Sequence, residues 1–331
     1  MQEKNKEKRH FFTRSSASEI GRLQITNTIV MIRPVQFRMN EETAVNNYYQ
    51  EDIGLSRSNA TIKAQQEFDT FVQELQSVGV NIIVVNDDVK QDTPDSVFPN
   101  NWMSFHQNGD VVIYPMFAEN RRKERRSEIF DIVEKSGFQI DHIIDYTSAE
   151  ESNFFLEGTG SLVLDRVHRK AYCSLSPRAN EELLIEFCED FEYSPVIFTA
   201  YQTASGKRLP IYHTNVMMGI AETFAVVCLE CIDDHKERKN LIKHLKQDQK
   251  EIIAITEEQV NQFAGNVLQV IGKDQKRYLV MSTAAFQSLT KDQVATIEKN
   301  CEILHSDLHT IETLGGGSAR CMMAEVFLPK K

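Results

Sequence analysis

The sequence predicts an α/β protein, because short β-branched runs alternate with helical patterns along most of its 331 residues. The strand and helix groups return roughly every sixty residues, on the order of five times, which suits a radial arrangement of similar units. A third observation narrows the class by exclusion. No GxGxxG follows a strand, no GxxxxGK(S/T) loop opens a helix, and no GxSxG elbow occurs, so the signatures of the common doubly wound folds and α/β-hydrolases are missing.

Taken in order, residues 1–22 are rich in charge and serine and poor in periodic apolar positions, and are expected to form a flexible extension without chemistry. Residues 23–331 are expected to form one catalytic domain. Strand-like runs begin at Thr28 (TIVMIRPV), Val80 (VNIIVV), Val111 (VVIYPMF), Ser161 (SLVLDRVHRKAYCSL), Phe224 (FAVVCLECI), Tyr278 (YLVMSTAAF) and Cys321 (CMMAEVFL). Between the first two, NATIKAQQEFDTFVQELQSVG reads as a helix with Ile62, Phe68, Phe71, Val72 and Leu75 on one face and Gly79 as its stop. Thr290 followed by Gln293 reads as a capping box that opens a later helix.

Composition removes several function classes. A hydrophobic content of 41% allows a sizeable core, and 37 basic against 48 acidic residues give a net charge of −11. That balance, with no long basic face, argues against a nucleic-acid partner. No apolar run approaches the roughly 20 residues that span a bilayer, and MQEKNKEKRHFF has no apolar leader core, so a cytoplasmic location without membrane attachment is expected. The six cysteines lack regular spacing and fit free thiols in a reducing compartment. Cys173, Cys188, Cys228 and Cys231 lie in apolar or amphipathic runs, Cys301 follows an expected helix end, and all five read as buried packing residues. CLEC, with His235 soon after, offers only half of a zinc site; no matching ligand pair is evident, and no metal is expected.

Three segments carry polar residues and glycines where ordinary strand ends would be expected. In FLEGTGSLVLD, Glu157 precedes a Gly-x-Gly turn, which is either a common turn acid or a carboxylate held for a ligand. In PIYHTNVMMGI, His213 and Asn215 share a face if the segment is extended, and histidine is the side chain whose proton equilibrium lies nearest neutrality. In ETLGGGSARCMMAEVFLPKK, Cys321 follows three consecutive glycines and sits beside Arg320, whose charge would favour a thiolate. Of the six cysteines, Cys321 is the best nucleophile candidate.

The stretch MIRPVQFRMNEETAVNNYYQ, the PNNW at Pro99–Trp102, Glu157–Gly158, His213–Asn215 and GGGSARC ending at Cys321 occur in one order. In this the chain resembles the guanidine-modifying enzymes, the arginine deiminases and amidinotransferases, and is most similar to their citrulline utilisation hydrolase branch. The resemblance implies a pentein fold, a five-bladed α/β propeller of pseudo-fivefold symmetry with its site on the axis. It implies Cys321 as the attacking group, His213 as the proton shuttle and Glu157 as the carboxylate that orients it. It also implies Arg33, Asn100, Asn101, Trp102, His106, Gly158 and Asn215 as substrate-binding positions, with no cofactor.

Against the deiminase pattern, three expected aspartates fall on His106, Asn215 and Gly160, which leaves Glu157 as the acid of these motifs. Breaking a buried charge pair typically costs about 3 to 5 kcal/mol, so a cationic guanidinium is disfavoured and a neutral ureido group is expected. Citrulline hydrolysed to ornithine, carbon dioxide and ammonia is the expected reaction. The alternatives are an arginine or agmatine deiminase, a dihydrolase of acylated arginine, and a catalytically silent binding protein on the same scaffold. A small molecule is the expected partner, and homo-oligomer formation is left open.

Overall fold

The computed structural model describes residues 21–331, so the extension expected at 1–22 lies outside the described residues except for its last two. The frame is mixed α/β: five three-stranded sheets of one design and a two-stranded hairpin, Tyr201–Ala204 with Lys207–Pro210. In every three-stranded sheet one edge strand pairs antiparallel with the middle strand, and the other edge pairs parallel with it. A parallel pair needs a crossover connection, and a helix stands in each of the five.

Four sheets are continuous in the chain: Met103–Phe105, Asp110–Ile113 and His142–Asp145; Val163–Asp165, Lys170–Ser174 and Ser194–Phe198; Met218–Ile220, Phe224–Val227 and Glu251–Ala254; Leu268–Ile271, Arg277–Ser282 and Glu302–Ser306. The fifth is closed from both ends. Thr28–Arg33 takes Asn81–Asn86 on its parallel side and the C-terminal Ala324–Glu325 on its antiparallel side. This closure places Cys321, near the C-terminus, next to the first strand of the fold.

The helix Arg57–Ser77 shows how pattern becomes packing. Ser56 caps it by accepting from Asn59 N, and Gly79, at φ +89, supplies the left-handed turn that ends it. Ala60, Ala64, Phe68, Phe71, Val72 and Leu75 are buried against Ile29, Met31 and Val280. Ile62, expected on this face, is 53% exposed, because Ala60 and Ala64 take the inward positions of that turn. The Thr290–Gln293 capping box is present with both of its hydrogen bonds. By contrast, CMMAEVFL is not a strand throughout: Ala319–Met322 is a single tight turn and only Ala324–Glu325 joins the sheet.

Candidate active site

Cys321 lies in that turn, fully enclosed by other groups. Its backbone N–H donates to Ser318 O at 2.9 Å, and its Sγ is approached by the side-chain amides of Asn266 at 3.2 Å and Asn215 at 3.5 Å. The preceding glycines let an aromatic ring come close: an added Cβ at Gly315 or Gly317 would meet the Phe98 ring at 2.8 or 3.0 Å. Gly316 takes φ +62 to end the helix His309–Gly315, a conformation that other residues adopt at a cost.

His213 and Asn215 share a face only if their segment is extended throughout. His213 has an extended backbone, but it caps the one-turn helix Thr214–Met217, which holds Asn215 and in which Thr214 Oγ1 donates to Ser161 O at 2.6 Å. The strand Met218–Ile220 begins only after that turn. His213 Nε2 lies 2.7 Å from Glu157 Oε2, while Glu157 Oε1 accepts from Phe117 N at 2.9 Å and Arg178 stands 3.6 Å from Oε2. Glu157 in turn precedes the one-turn helix Gly158–Ser161, where Gly158 takes φ +45 and passes hard against the Asn100 carbonyl.

The electrostatics follow from burial and these partners. Burial alone would raise the Glu157 carboxyl, but Arg178 and the His213 hydrogen bond hold it down at about 2. Burial lowers His213 to about 4, with Glu157 working against the shift and Arg178 and Arg121 adding to it. At neutral pH the imidazole is therefore uncharged. An ionised carboxylate only accepts, so Nε2 carries the proton and Nδ1 is the free base.

One cavity is lined by Cys321, His213 and Asn101 together with Asn47, Asp95, Phe98, Arg121, Arg178, Tyr212, Gly315 and Gly317. Asn101 Oδ1 accepts from Arg121 Nη1 at 2.7 Å, so its amide N–H groups are the atoms left to present; one donates to Asn100 Oδ1 at 3.0 Å. Arg121 is held by Glu124 through two bonds of 2.9 Å, and Arg178 lies over the Tyr212 ring at 4.7 Å while donating to Thr43 O. Asp95 Oδ2 accepts from Asn40 and Thr43, but Oδ1 is buried without a hydrogen-bond partner among the described residues. Burial raises its carboxyl above the usual range.

Several sequence expectations need correction. His106 is not in the cavity: its Nε2 meets Ser104 Oγ at 2.8 Å and its ring packs on Phe191 at 4.4 Å, since the antiparallel pairing of Met103–Phe105 carries it away. Trp102 is core, 6.1 Å from the Phe130 ring. Arg33 points outward to Asp69 at 2.7 Å. Arg320 faces the opposite side from Cys321 and is neutralised by Glu325 at 2.8 Å, so its charge is spent elsewhere. Glu157 remains the acid of the recognised motifs, and Asp95, from outside them, lines the cavity as a further acid. Asn100 is buried behind Asn101, Gly158 supports the Asn100 backbone, and Asn215 touches the sulfur.

Asp95, Arg121, Arg178, Tyr212 and Asn266 were missed. Asp95 and Phe98 lie just before PNNW and were within reach of that motif. Nothing in the sequence separates Arg121 from its neighbours Arg122, Arg125 and Arg126; only burial does. Cys228 and Cys231 face one another with sulfurs 3.0 Å apart in a core cluster. Among the described residues the one group with three ligand-type side chains is Asp165, His168 and Asp248, where Lys250 and Lys170 already stand 3.3 and 2.7 Å from the acids. No helix among the described residues is long and apolar enough to cross a membrane.

A buried cysteine, histidine and glutamate brought together on a repeated three-stranded α/β frame define a protein of the pentein, guanidine-modifying superfamily. Within it, the chain belongs to the family described as N,N dimethylarginine dimethylhydrolase, eukaryotic, whose pattern matches residues 33–328. No curated protein matches in sequence. Among solved structures, the fold is similar to ArgZ, an arginine dihydrolase from the ornithine-ammonia cycle in cyanobacteria, with a TM-score of 0.69 and 14% identity over 92% of this chain and 41% of that one. This chain therefore spans about two fifths of that protein's length. The product-bound N-terminal domain of ArgZ is similar over 91% of this chain and 99% of its own, at a TM-score of 0.68 and 15% identity. A dimethylarginine dimethylaminohydrolase variant in adduct with S-methyl-L-thiocitrulline gives a TM-score of 0.60 at 15% identity, covering 91% of this chain and 100% of that one.

Proposed function

We propose that the protein is a cysteine-dependent hydrolase that cleaves the ureido group of citrulline to ornithine, carbon dioxide and ammonia. The observation that carries this reading is the orientation of Asn101. Its oxygen accepts from Arg121 and one of its two N–H groups donates to Asn100, so the remaining N–H is the donor it offers to the cavity; a ureido oxygen accepts it, whereas a guanidinium has no acceptor. The free Oδ1 of Asp95 accepts a ureido N–H. In this scheme Cys321 Sγ attacks the ureido carbon and His213 Nδ1 takes the thiol proton. Collapse breaks the bond to the ornithine nitrogen, which leaves with that proton and a carbamoyl group remains on sulfur. Water, deprotonated by His213 Nδ1, then attacks the carbamoyl carbon; Cys321 Sγ leaves and takes back the proton, and the released carbamate decomposes to carbon dioxide and ammonia. Arg121 and Arg178 are the cations that line this cavity.

The family and the arginine dihydrolase neighbours support a second reading, in which a guanidino compound is hydrolysed and Asp95 pairs with its charge. We further read the five sheets as the blades of one five-bladed propeller over residues 23–331. Its support is that antiparallel edge strands of different sheets meet: Ala324–Glu325 with Met103–Phe105, and Met218–Ile220 with both Val163–Asp165 and Leu268–Ile271. The deciding experiment incubates the purified protein separately with citrulline, arginine and N,N-dimethylarginine and assays ammonia, ornithine and citrulline. Citrulline should exceed arginine in kcat/KM by at least about 100-fold, roughly 2.7 kcal/mol. Equal or better turnover of either arginine compound replaces this reading with the second, and no turnover of any of the three replaces both with a binding role.

A further inference from the structure

Asn266 lies outside every motif that drew attention in the sequence and does not line the cavity, yet it is fully buried against the nucleophile. It follows the short helix Glu257–Val260 and precedes the strand Leu268–Ile271, so it reaches Cys321 from a different unit of the fold. Four hydrogen bonds hold its amide. Oδ1 accepts from Arg320 N at 3.0 Å and from Cys321 N at 3.4 Å. Nδ2 donates to Asn215 O at 3.0 Å and to Cys321 Sγ at 3.2 Å.

The orientation of this amide is forced. Two backbone N–H groups can only donate, and the Asn215 carbonyl can only accept, so a flipped amide would lose three bonds at once. The atom facing the sulfur is therefore an N–H donor. Asn215 is different: its Nδ2 and Oδ1 stand 3.5 and 3.8 Å from Sγ, so it can give to a thiolate or receive from a thiol. Only Asn266 is committed to one role.

We propose that Asn266 is a positioning residue for the nucleophile, its carbonyl oxygen pinning the backbone of Arg320 and Cys321 while its N–H stabilises negative charge on the sulfur. The inference rests on the reading of Cys321 as nucleophile but not on the identity of the substrate. Hydrogen bonds to an ionised partner are worth more than neutral ones, so the donor matters most when the sulfur is charged.

Asn266→Asp tests this with little change of shape. One carboxyl oxygen keeps the two backbone donors, while the other faces the sulfur, donating when protonated and repelling when ionised. The other ionisable groups around the cavity, Asp95, Arg121, Arg178, Tyr212 and His213, are untouched by the substitution. The readout is alkylation of Cys321 by iodoacetamide without substrate, followed by peptide mass from pH 5 to pH 9. The wild-type to variant rate ratio should climb from near one at the acid end to at least about tenfold at the alkaline end. A flat ratio in a folded variant, judged by circular dichroism and melting, overturns the proposal. If Asn266→Asp does not fold, Asn266→Ser should slow alkylation at pH 8 by about fivefold or more, and an unchanged rate overturns it equally. Because no substrate is present, absence of citrulline turnover cannot be mistaken for failure here, whereas a wild-type Cys321 that resists alkylation at every pH would fail the nucleophile reading itself.

Discussion

The Nε2 of His213 lies 2.7 Å from Oε2 of Glu157, and both side chains are closed off from solvent. This one pairing sets the tautomer of the imidazole, its ring orientation and the side on which it can act as a base. Glu157 also stands 3.6 Å from Arg178, so its charge serves two partners. In Glu157→Gln the oxygen stays with the Phe117 N–H, so an amide N–H faces His213 Nε2 and favours the other tautomer, and Arg178 loses a counter-charge. We expect turnover to fall by about 100-fold or more and stability to drop by about 3 kcal/mol, read from the shift of the urea midpoint. Full activity in this variant would remove Glu157 from the mechanism.

The pH dependence of turnover should show the burial of His213. The base form is required, and it is lost only as pH falls through about 4. Wild-type kcat/KM should therefore hold well below the ordinary histidine range and decline on the acid side around pH 4. A decline centred near pH 6.5 would show that His213 keeps an ordinary proton affinity. His213→Ala should form little covalent adduct and turn over hardly at all, as intact mass after rapid quenching would register.

Gly160 occupies a position where deiminases carry an acid, and the fold shows why no side chain is accepted here. An added Cβ would stand 2.5 Å from Asn101 Nδ2 and 2.8 Å from His213 Nδ1, so one of those groups must move. Displacing a reacting group by about 1 Å can cost about 100-fold in rate. We expect Gly160→Ala to lose that much in kcat while melting within a few degrees of the wild type. Unchanged kcat would show that His213 and Asn101 have room to yield.

The cysteines should divide by role. Cys321→Ser should fold normally and lose at least about 1000-fold in rate, because the hydroxyl is a far weaker nucleophile. Cys228→Ala and Cys231→Ala remove buried atoms from a core cluster and should lower the melting temperature more than the rate. Near-wild-type turnover by Cys321→Ser is the result that would falsify the proposed chemistry. Stoichiometric zinc in the purified protein would point back to Cys228 and Cys231.

Local chemistry settled a good deal before any tertiary structure. The apolar face of Arg57–Ser77, the cap at Thr290 and the positive-φ turn at Gly79 are short-range features, and sequence alone specifies them. The segments holding Glu157, His213 and Cys321 also stand out, because each lies at an abrupt change from apolar run to polar turn, but it is the resemblance to the guanidine-modifying enzymes that joins the three into one candidate site. What the tertiary structure decided is which charged groups share that space. Arg121 lies in the basic run 121–126 and Arg320 stands beside the nucleophile in the sequence, yet Arg121 bonds Asn101 in the cavity while Arg320 turns to Glu325 on the far side of the nucleophile. Asp95 and Asn266 are 171 residues apart and converge on one centre only because separate units of the repeated frame meet there. Periodicity along a chain reports which face of an element is buried, but the partners of a buried charge are set by long-range packing, where the cost of leaving it unpaired selects one arrangement.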